Sequence, residues 1–342
     1  MNTTALLLPV LTAFLVPALS SPWLASLLRR RGVVDRPGER RSHARITPRG
    51  GGLGLGLGIV LGLLLMRFSG SVPATEFWVV LLLVLSLSGL GAMDDFLELG
   101  VGVRMLGQAL IAAALLLWSG WVDELRLGAT LVVSMPWLFT ALAWVAILWL
   151  INLHNFMDGS DGLASMQAVW TGAAYAMLFW FEGHGVPALV ALLLTAASAG
   201  FLIWNRPVAR IFLGDSGSLL IGGLVAWLAL QALLATSISL MLCILVSSLF
   251  VVDATLTLLA RAARGERWYT PHRTHAYQTL LRLGWSHAQV LWAYLGVNLL
   301  VVLPATLAAQ RWPSLDFVLG LGVVGLLAAG WWSIQSAANG ER

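Results

Sequence analysis

Apolar residues fill most of the chain in runs near the ~20 residues that a helix needs to cross a bilayer, and polar residues are confined to short interruptions. "TALLLPVLTAFLVPALSSPWLASLL" opens the series and "WLFTALAWVAILWLI" stands near its middle. The pattern places about eleven spans, near 5–27, 50–66, 76–92, 104–121, 134–153, 163–181, 186–203, 216–233, 238–260, 288–308 and 317–334. The runs lack the period-two alternation of barrel strands, and backbone groups in lipid must bond within their own segment. The reading is therefore an all-α, polytopic integral membrane protein, with residues 1–342 forming a single domain. The first run is too long for a signal-peptide core and has no basic residues ahead of it, which predicts a retained span.

Composition agrees. The chain is 59% hydrophobic and only 11% charged, against about 25% charged in a soluble domain, and its mean hydropathy is +0.85. The single cysteine, Cys243, leaves no disulfide or cysteine-based metal site to build. Every basic residue is an arginine. With the N-terminus outside, all of the 20 arginines except Arg67, Arg126 and Arg311 fall on the inner side or at its edge. The first inner loop, "RRRGVVDRPGERRSHARITPR", holds eight of them. The net charge of +4 thus reads as membrane topology, not as a nucleic-acid partner, and the C-terminus is expected inside.

Four interruptions carry the chemistry. "MDDF" (Asp94, Asp95) ends span 3, "NFMDGSDG" (Asp158, Asp161) follows span 5, "FLGDSGS" (Asp215) follows span 7, and "TPHRTHAYQ" (His272, His275) follows span 9. Odd-numbered spans all arrive at the inner face, so parity alone brings the four clusters together. The outer loops hold scattered acids such as Glu76, Asp123 and Glu182. Paired carboxylates with a third from elsewhere suit a hard divalent cation such as Mg²⁺, which takes oxygen ligands and shares them with a phosphate substrate. Glycines beside Asp158, Asp161 and Asp215 permit tight turns and close approach of backbone N–H groups to an anion. Ser216 and Ser218 open a helix whose N-terminus offers free donors. His272, Arg273 and His275 add groups suited to a diphosphate. The sum is metal-assisted phosphoryl transfer at a membrane surface.

Each of these residues also has a purely structural use. Asp94 and Asp95 would cap a helix end, Asp158 and Asp161 would close Asx turns, and Asp215 would be the N-cap of span 8. His272 and His275 would be ordinary loop histidines. The run "GGGLGLGLG" reads as close helix packing. Asp253, inside span 9 with Arg261 two helical turns on, reads equally as an ion pair and as a site group.

Taken in order, "DRPGERRSHARITPRGGGLGL", "DDFLELGVGVRMLGQ", "NFMDGSDGLA", "FLGDSGSLLIG" and "PHRTHAYQTLLRLG" resemble the polyprenyl-phosphate N-acetylhexosamine-1-phosphate transferases, over nearly the whole chain. The resemblance implies an enzyme of the bacterial cytoplasmic (inner) membrane, with a periplasmic N-terminus and a cytoplasmic C-terminus. It would carry a sugar phosphate from a UDP-amino sugar to undecaprenyl phosphate, release UMP and require Mg²⁺, with Mn²⁺ as a substitute. By the same resemblance Asp215 is the metal ligand, with Asp95, and Asp94 and Asp95 are the acidic catalytic pair. Asp94 would be the base in a direct attack; in an older scheme an aspartate is the nucleophile of a phospho-enzyme. Asn155, Asp158 and Asp161 would line the nucleotide and phosphate pocket. His272 and His275 match the family's histidine motif near the diphosphate, Arg104 a basic position after the acidic pair, and Arg273 a phosphate contact. A homodimer is an expectation from the family alone.

One departure separates the branches. The branch that transfers phospho-MurNAc-pentapeptide has three consecutive histidines in its last inner loop, and here that loop reads "HRTH". This favours initiation of O-antigen or related surface polysaccharide, with GlcNAc or a 6-deoxy sugar such as FucNAc or QuiNAc; no residue singles out the sugar. Of other classes, a secondary transporter would carry its acids near mid-membrane in broken helices, not at one face. A CDP-alcohol-type phosphotransferase would extend its aspartate array beyond "DGSDGLA", which this chain does not.

Overall fold

The computed structural model describes residues 3–35, 46–128, 131–267 and 272–340. Residues 36–45 of the first inner loop lie outside them, so the part of the resemblance that rests on "RPGERRSHAR" does too. The chain runs α1 (Thr3–Arg30), β1 (Val34–Asp35), β2 (Thr47–Pro48), α2 (Gly52–Phe68), α3 (Ala74–Leu97), α4 (Val101–Ser119), β3 (Glu124–Arg126) and β4 (Val132–Ser134). It continues through α5 (Pro136–Phe156), α6 (Leu163–Phe181), α7 (Gly185–Asn205), α8 (Asp215–Ala235), α9 (Leu240–Val246) and α10 (Ser248–Ala263). Beyond α10 come α11 (Ala276–Arg282), α12 (His287–Val297), a π-helical turn (Asn298–Val302), α13 (Leu303–Arg311) and α14 (Asp316–Gly340). The strands form two small antiparallel hairpins, β1–β2 and β3–β4.

All eleven apolar runs are helical. Among the described residues eight helices are long and apolar enough to cross a membrane, and the bent pair α9–α10, taken as one span, makes a ninth. Apolar side chains exposed on their outer faces, such as Leu19, Leu117, Leu300 and Trp332, are the lipid-facing surface. The chain is a multi-pass membrane protein.

The run 238–260 departs from the single straight span expected of it. It bends by 89° between α9 and α10, at Ser247, which ends α9 and precedes α10. Span 10 holds its course instead, passing from α12 through the π turn into α13.

Helix α8 is the hub, packed by α2, α3, α5, α6 and α7. Its approach to α2 and α3 depends on glycine. A methyl on Gly52 would collide with the backbone of Gly217, and one on Gly91 with the carbonyl of Asp215. The backbones therefore touch where α2 and α3 pass the first turn of α8. This is the close packing that the glycine run announces.

Candidate functional site

That backbone contact places the acidic pair. Gly91 lets α3 reach the start of α8, and one turn on Asp95, buried, accepts the N–H groups of Asp215 (3.0 Å) and Ser216 (3.1 Å) with its two oxygens. The first turn of α8 is thus capped by a carboxylate from another helix, and its N-cap residue is the side-chain-less Gly214, held at φ +73°. The negative charge is also favourable at the positive end of the α8 dipole.

Asp94 turns toward α4. It and Asp215 share the Arg104 guanidinium, at 2.8 and 2.9 Å. Asn155, at the end of α5, donates to Asp215 Oδ1 (2.9 Å) and to the Ser218 hydroxyl (3.0 Å). Asp94, Arg104, Asn155 and Asp215, drawn from four helices, form one connected polar network. Arg104, expected as a substrate contact, is placed here as the internal counter-charge.

The glycine-flanked turn between α5 and α6 lies against this network. Asp158 lines a cavity of about 450 Å³ together with Asp95, Asp161 and Asp215. Burial and then the charges of Asp215, Asp95 and Asp161 hold the Asp158 carboxyl well above the usual carboxylate range, with the Gly214 N–H opposing them. Asp161 has a fixed task, since its Oδ2 accepts the Ala209 N–H at 3.0 Å. Three arginines also line the cavity: Arg49 after β2, which stands beside Asp95 at 3.9 Å, and Arg273 before α11 and Arg282 at the end of α11. Gln278 and Trp285 complete the side around α11.

The last inner segment reaches the cavity through Asp253. The pairing with Arg261 that helical spacing offered is absent, because Arg261 joins Glu266 (2.6 Å) instead. Asp253, buried in α10, accepts the N–H groups of Ala276 (2.7 Å) and Tyr277 (3.4 Å), the Thr257 hydroxyl (3.1 Å) and the Tyr294 hydroxyl (3.0 Å). It therefore ties the first turn of α11 to α10 and α12. Tyr277 in turn donates to the Phe156 carbonyl at 2.9 Å, over Gly159, where a side chain would strike its hydroxyl.

His275 is buried behind this tether, 3.6 Å from Asp253 and stacked between Phe156 and Tyr277. His272 packs against it at 4.9 Å. Burial, and then the charges of His275 and Arg261, lower the His272 imidazole to about 4, so it is neutral near pH 7. Neither histidine lines the cavity, whereas Arg273 between them does.

Several lining residues escaped the sequence reading, His287, Arg49 and Arg282 among them. His287, the first residue of α12, takes the Asp161 N–H on Nδ1 (3.2 Å) with the Ser160 hydroxyl at 2.9 Å. An N–H only donates, so Nδ1 is the acceptor and the proton sits on Nε2. Arg49 stands in the quoted "TPRGG" and hydrogen-bonds the Asp95 carbonyl at 3.0 Å; a charge ahead of a glycine run in an apolar chain was its signal.

The fold and this cavity define a polytopic membrane protein with an acidic, arginine-faced pocket at one end of its helices. Residues 77–233 match glycosyl transferase family 4. A decaprenyl-phosphate N-acetylglucosaminephosphotransferase of Mycobacterium tuberculosis is 30% identical over 312 residues, 82% of this chain and 77% of its own. A phospho-N-acetylmuramoyl-pentapeptide-transferase of Halalkalibacterium halodurans is 28% identical over 88% of this chain and 96% of its own. A probable undecaprenyl-phosphate N-acetylglucosaminyl 1-phosphate transferase of Bacillus subtilis is 28% identical over 81% and 79%. The chain belongs to glycosyl transferase family 4 and is a membrane transferase.

Proposed function

We propose that the protein transfers an N-acetylhexosamine 1-phosphate from a UDP-amino sugar to undecaprenyl phosphate, releasing UMP, as the first step of a surface glycan. The observation that carries this reading is the convergence of four distant polar segments on one cavity, which is lined by the carboxylates Asp95, Asp158, Asp161 and Asp215, with Arg49 beside Asp95, and by Arg273 and Arg282 from around α11. The Arg273 and Arg282 guanidinium groups suit a diphosphate.

A divalent cation fits the donor chemistry. Burial and then the charges of Asp215, Asp95 and Asp161 raise Asp158, and a cation would relieve the repulsion. Among the described residues no three His, Cys, Asp or Glu side chains close around one point. Mg²⁺ commonly uses one or two carboxylates and completes its shell with water and substrate phosphate. Asp215 and Asp95 each accept a hydrogen bond on both oxygens and keep further lone pairs, so we assign the protein ligands to Asp215 and Asp95, with Asp158 beside them on the cavity wall. The ion would neutralise the diphosphate. The protein's part is to orient the reactants. Asn155 and Arg104 fix Asp215, and the arginine side holds the β-phosphate. The lipid phosphate enters largely ionised; Asp94, expected as the base, lies outside the cavity lining and holds Arg104 against Asp215. The lipid phosphate oxygen then bonds to the β-phosphorus, the bond from that phosphorus to the UMP oxygen breaks, and UMP leaves.

The segment His272–Arg273–Thr274–His275 supports the amino-sugar branch over the pentapeptide branch. Purified protein with undecaprenyl phosphate, Mg²⁺ and a panel of UDP-sugars tests both. UMP and a lipid diphosphate from one UDP-amino sugar, lost with EDTA, are expected. Product only from UDP-MurNAc-pentapeptide would move the protein to the peptidoglycan branch. No UMP from folded protein with any donor would overturn the reading.

A further inference from the structure

A second cleft, of about 400 Å³, opens between the end of α1, Ile46 and Thr47, and the segment that follows α7. The transfer proposed above uses none of its side chains. Arg29 and Arg210 stand on its rim, both exposed. Among the described residues neither has a carboxylate within ion-pair distance. Pro22, Ala25 and Ile211 give it apolar walls.

Arg210 is set in place in advance. Its guanidinium lies 5.3 Å over the Trp204 ring, and its N–H donates to the Trp204 carbonyl at 2.8 Å. The indole is itself fixed, with Nε1 donating to the Ala18 carbonyl at 2.7 Å. Just along the same helices, Leu19 (73%), Trp23 (67%) and Ile203 (42%) are exposed as lipid-facing residues are. The mouth of the cleft therefore lies where hydrocarbon gives way to headgroups. A soluble anion would use the two guanidinium groups and leave the apolar walls idle. A bilayer amphiphile uses both.

We propose that this cleft binds the headgroup of an anionic glycerophospholipid, its phosphate between Arg29 and Arg210 and its acyl chains along Trp23 and Ile203. Binding there bears on the main cavity, because the two clefts share a partition. Ile46 and Thr47 face the second cleft while Arg49 faces the first. Ala209, Arg210 and Ile211 face the second while Phe212, Gly214 and Asp215 face the first. The two strips are joined by Phe212 N–H to the Pro48 carbonyl (2.8 Å) and Gly51 N–H to the Phe212 carbonyl (2.9 Å). A lipid that clamps Arg210 to Arg29 braces the strip that ends in Asp215.

The test is lipid retention, which does not depend on turnover. Protein is released from phosphatidylcholine nanodiscs doped with phosphatidylglycerol, and bound lipid is read by native mass spectrometry. The wild type is expected to retain phosphatidylglycerol over phosphatidylcholine. Each basic side chain at a membrane surface is worth about 1 kcal/mol, so R29Q/R210Q should lower that preference roughly tenfold or more. Arg126→Gln, which removes a charge from β3, should keep it, and Arg210→Lys should keep part of it. A wild type with no preference, or a folded double variant that retains it, overturns the site. Displacement of phosphatidylglycerol by undecaprenyl phosphate, with the same arginine dependence, would reassign the cleft to the carrier lipid. In neutral vesicles R29Q/R210Q should match the wild-type basal rate; added phosphatidylglycerol should stimulate only the wild type. Equal stimulation of both would overturn the bracing.

Discussion

The two sides of the main cavity are built by opposite means. On the acidic side, α2, α3 and α8 meet backbone to backbone through Gly52, Gly91 and Gly217, and Asp95 bonds directly to the first turn of α8. On the arginine side, the seven-residue α11 is held by side chains, through Asp253 and Tyr277. Backbone contact leaves no rotamer to relax, whereas a tether of side chains can give. The acidic side is thus suited to fixed placement of charge, and the arginine side to yielding as a substrate enters.

The strongest way to sharpen this contrast is Asp215→Asn. Turnover should fall by about 10³-fold or more, the scale of losing a preorganised charge, with membrane insertion and melting temperature unchanged; near-normal UMP release would exclude Asp215 from the chemistry. Next comes Gly91→Val, which forces a side chain into the Asp215 carbonyl. A loss of roughly 3 kcal/mol or more is expected from overpacking, seen as aggregation in size-exclusion chromatography. A stable Gly91→Val protein would mean that the acidic side relaxes after all. Asp253→Asn removes one charged acceptor and should cost about 2 kcal/mol, with the larger kinetic change in KM for the UDP-sugar because α11 shifts. An unaltered KM would separate Asp253 from the arginine side.

The smallest effect is on pH dependence. His272 titrates near 4 in the folded protein against an ordinary 6.5. The unfolded chain takes up the proton first, so the stability that the neutral ring contributes is complete above pH 6.5 and lost as pH falls toward 4. His272→Gln should flatten the melting temperature between those limits. An identical slope in wild type and variant would show that other groups govern it.

How much of this could be read from the chain depends on what each residue answers to. Asp94, Asp95, Asp158 and Asp215 were legible because a carboxylate in an apolar chain has few structural excuses, and span parity alone put them at one end. The capping role of Asp95 was not, since it exists only because Gly91 brings α3 onto α8, a packing relation and not a periodicity. Helical spacing offered Arg261 to Asp253, but the unpaired N–H groups of α11 took it, and α11 itself lay hidden in a loop. The bend at Ser247 left no mark on an apolar run that continues across it. His287 carries no motif; only the fold brings it to Ser160 and Asp161.

The cap on α8 also has an order in time. Asp95 lies 120 residues ahead of the amide it receives. Chains leave the ribosome N-terminus first, so α3 is inserted and waiting when Asp215 and Ser216 emerge with their amides unsatisfied. Helix α8 therefore completes its first turn by docking on a helix already made, and the act that finishes its fold also delivers Asp215 to Asp94, Arg104 and Asn155.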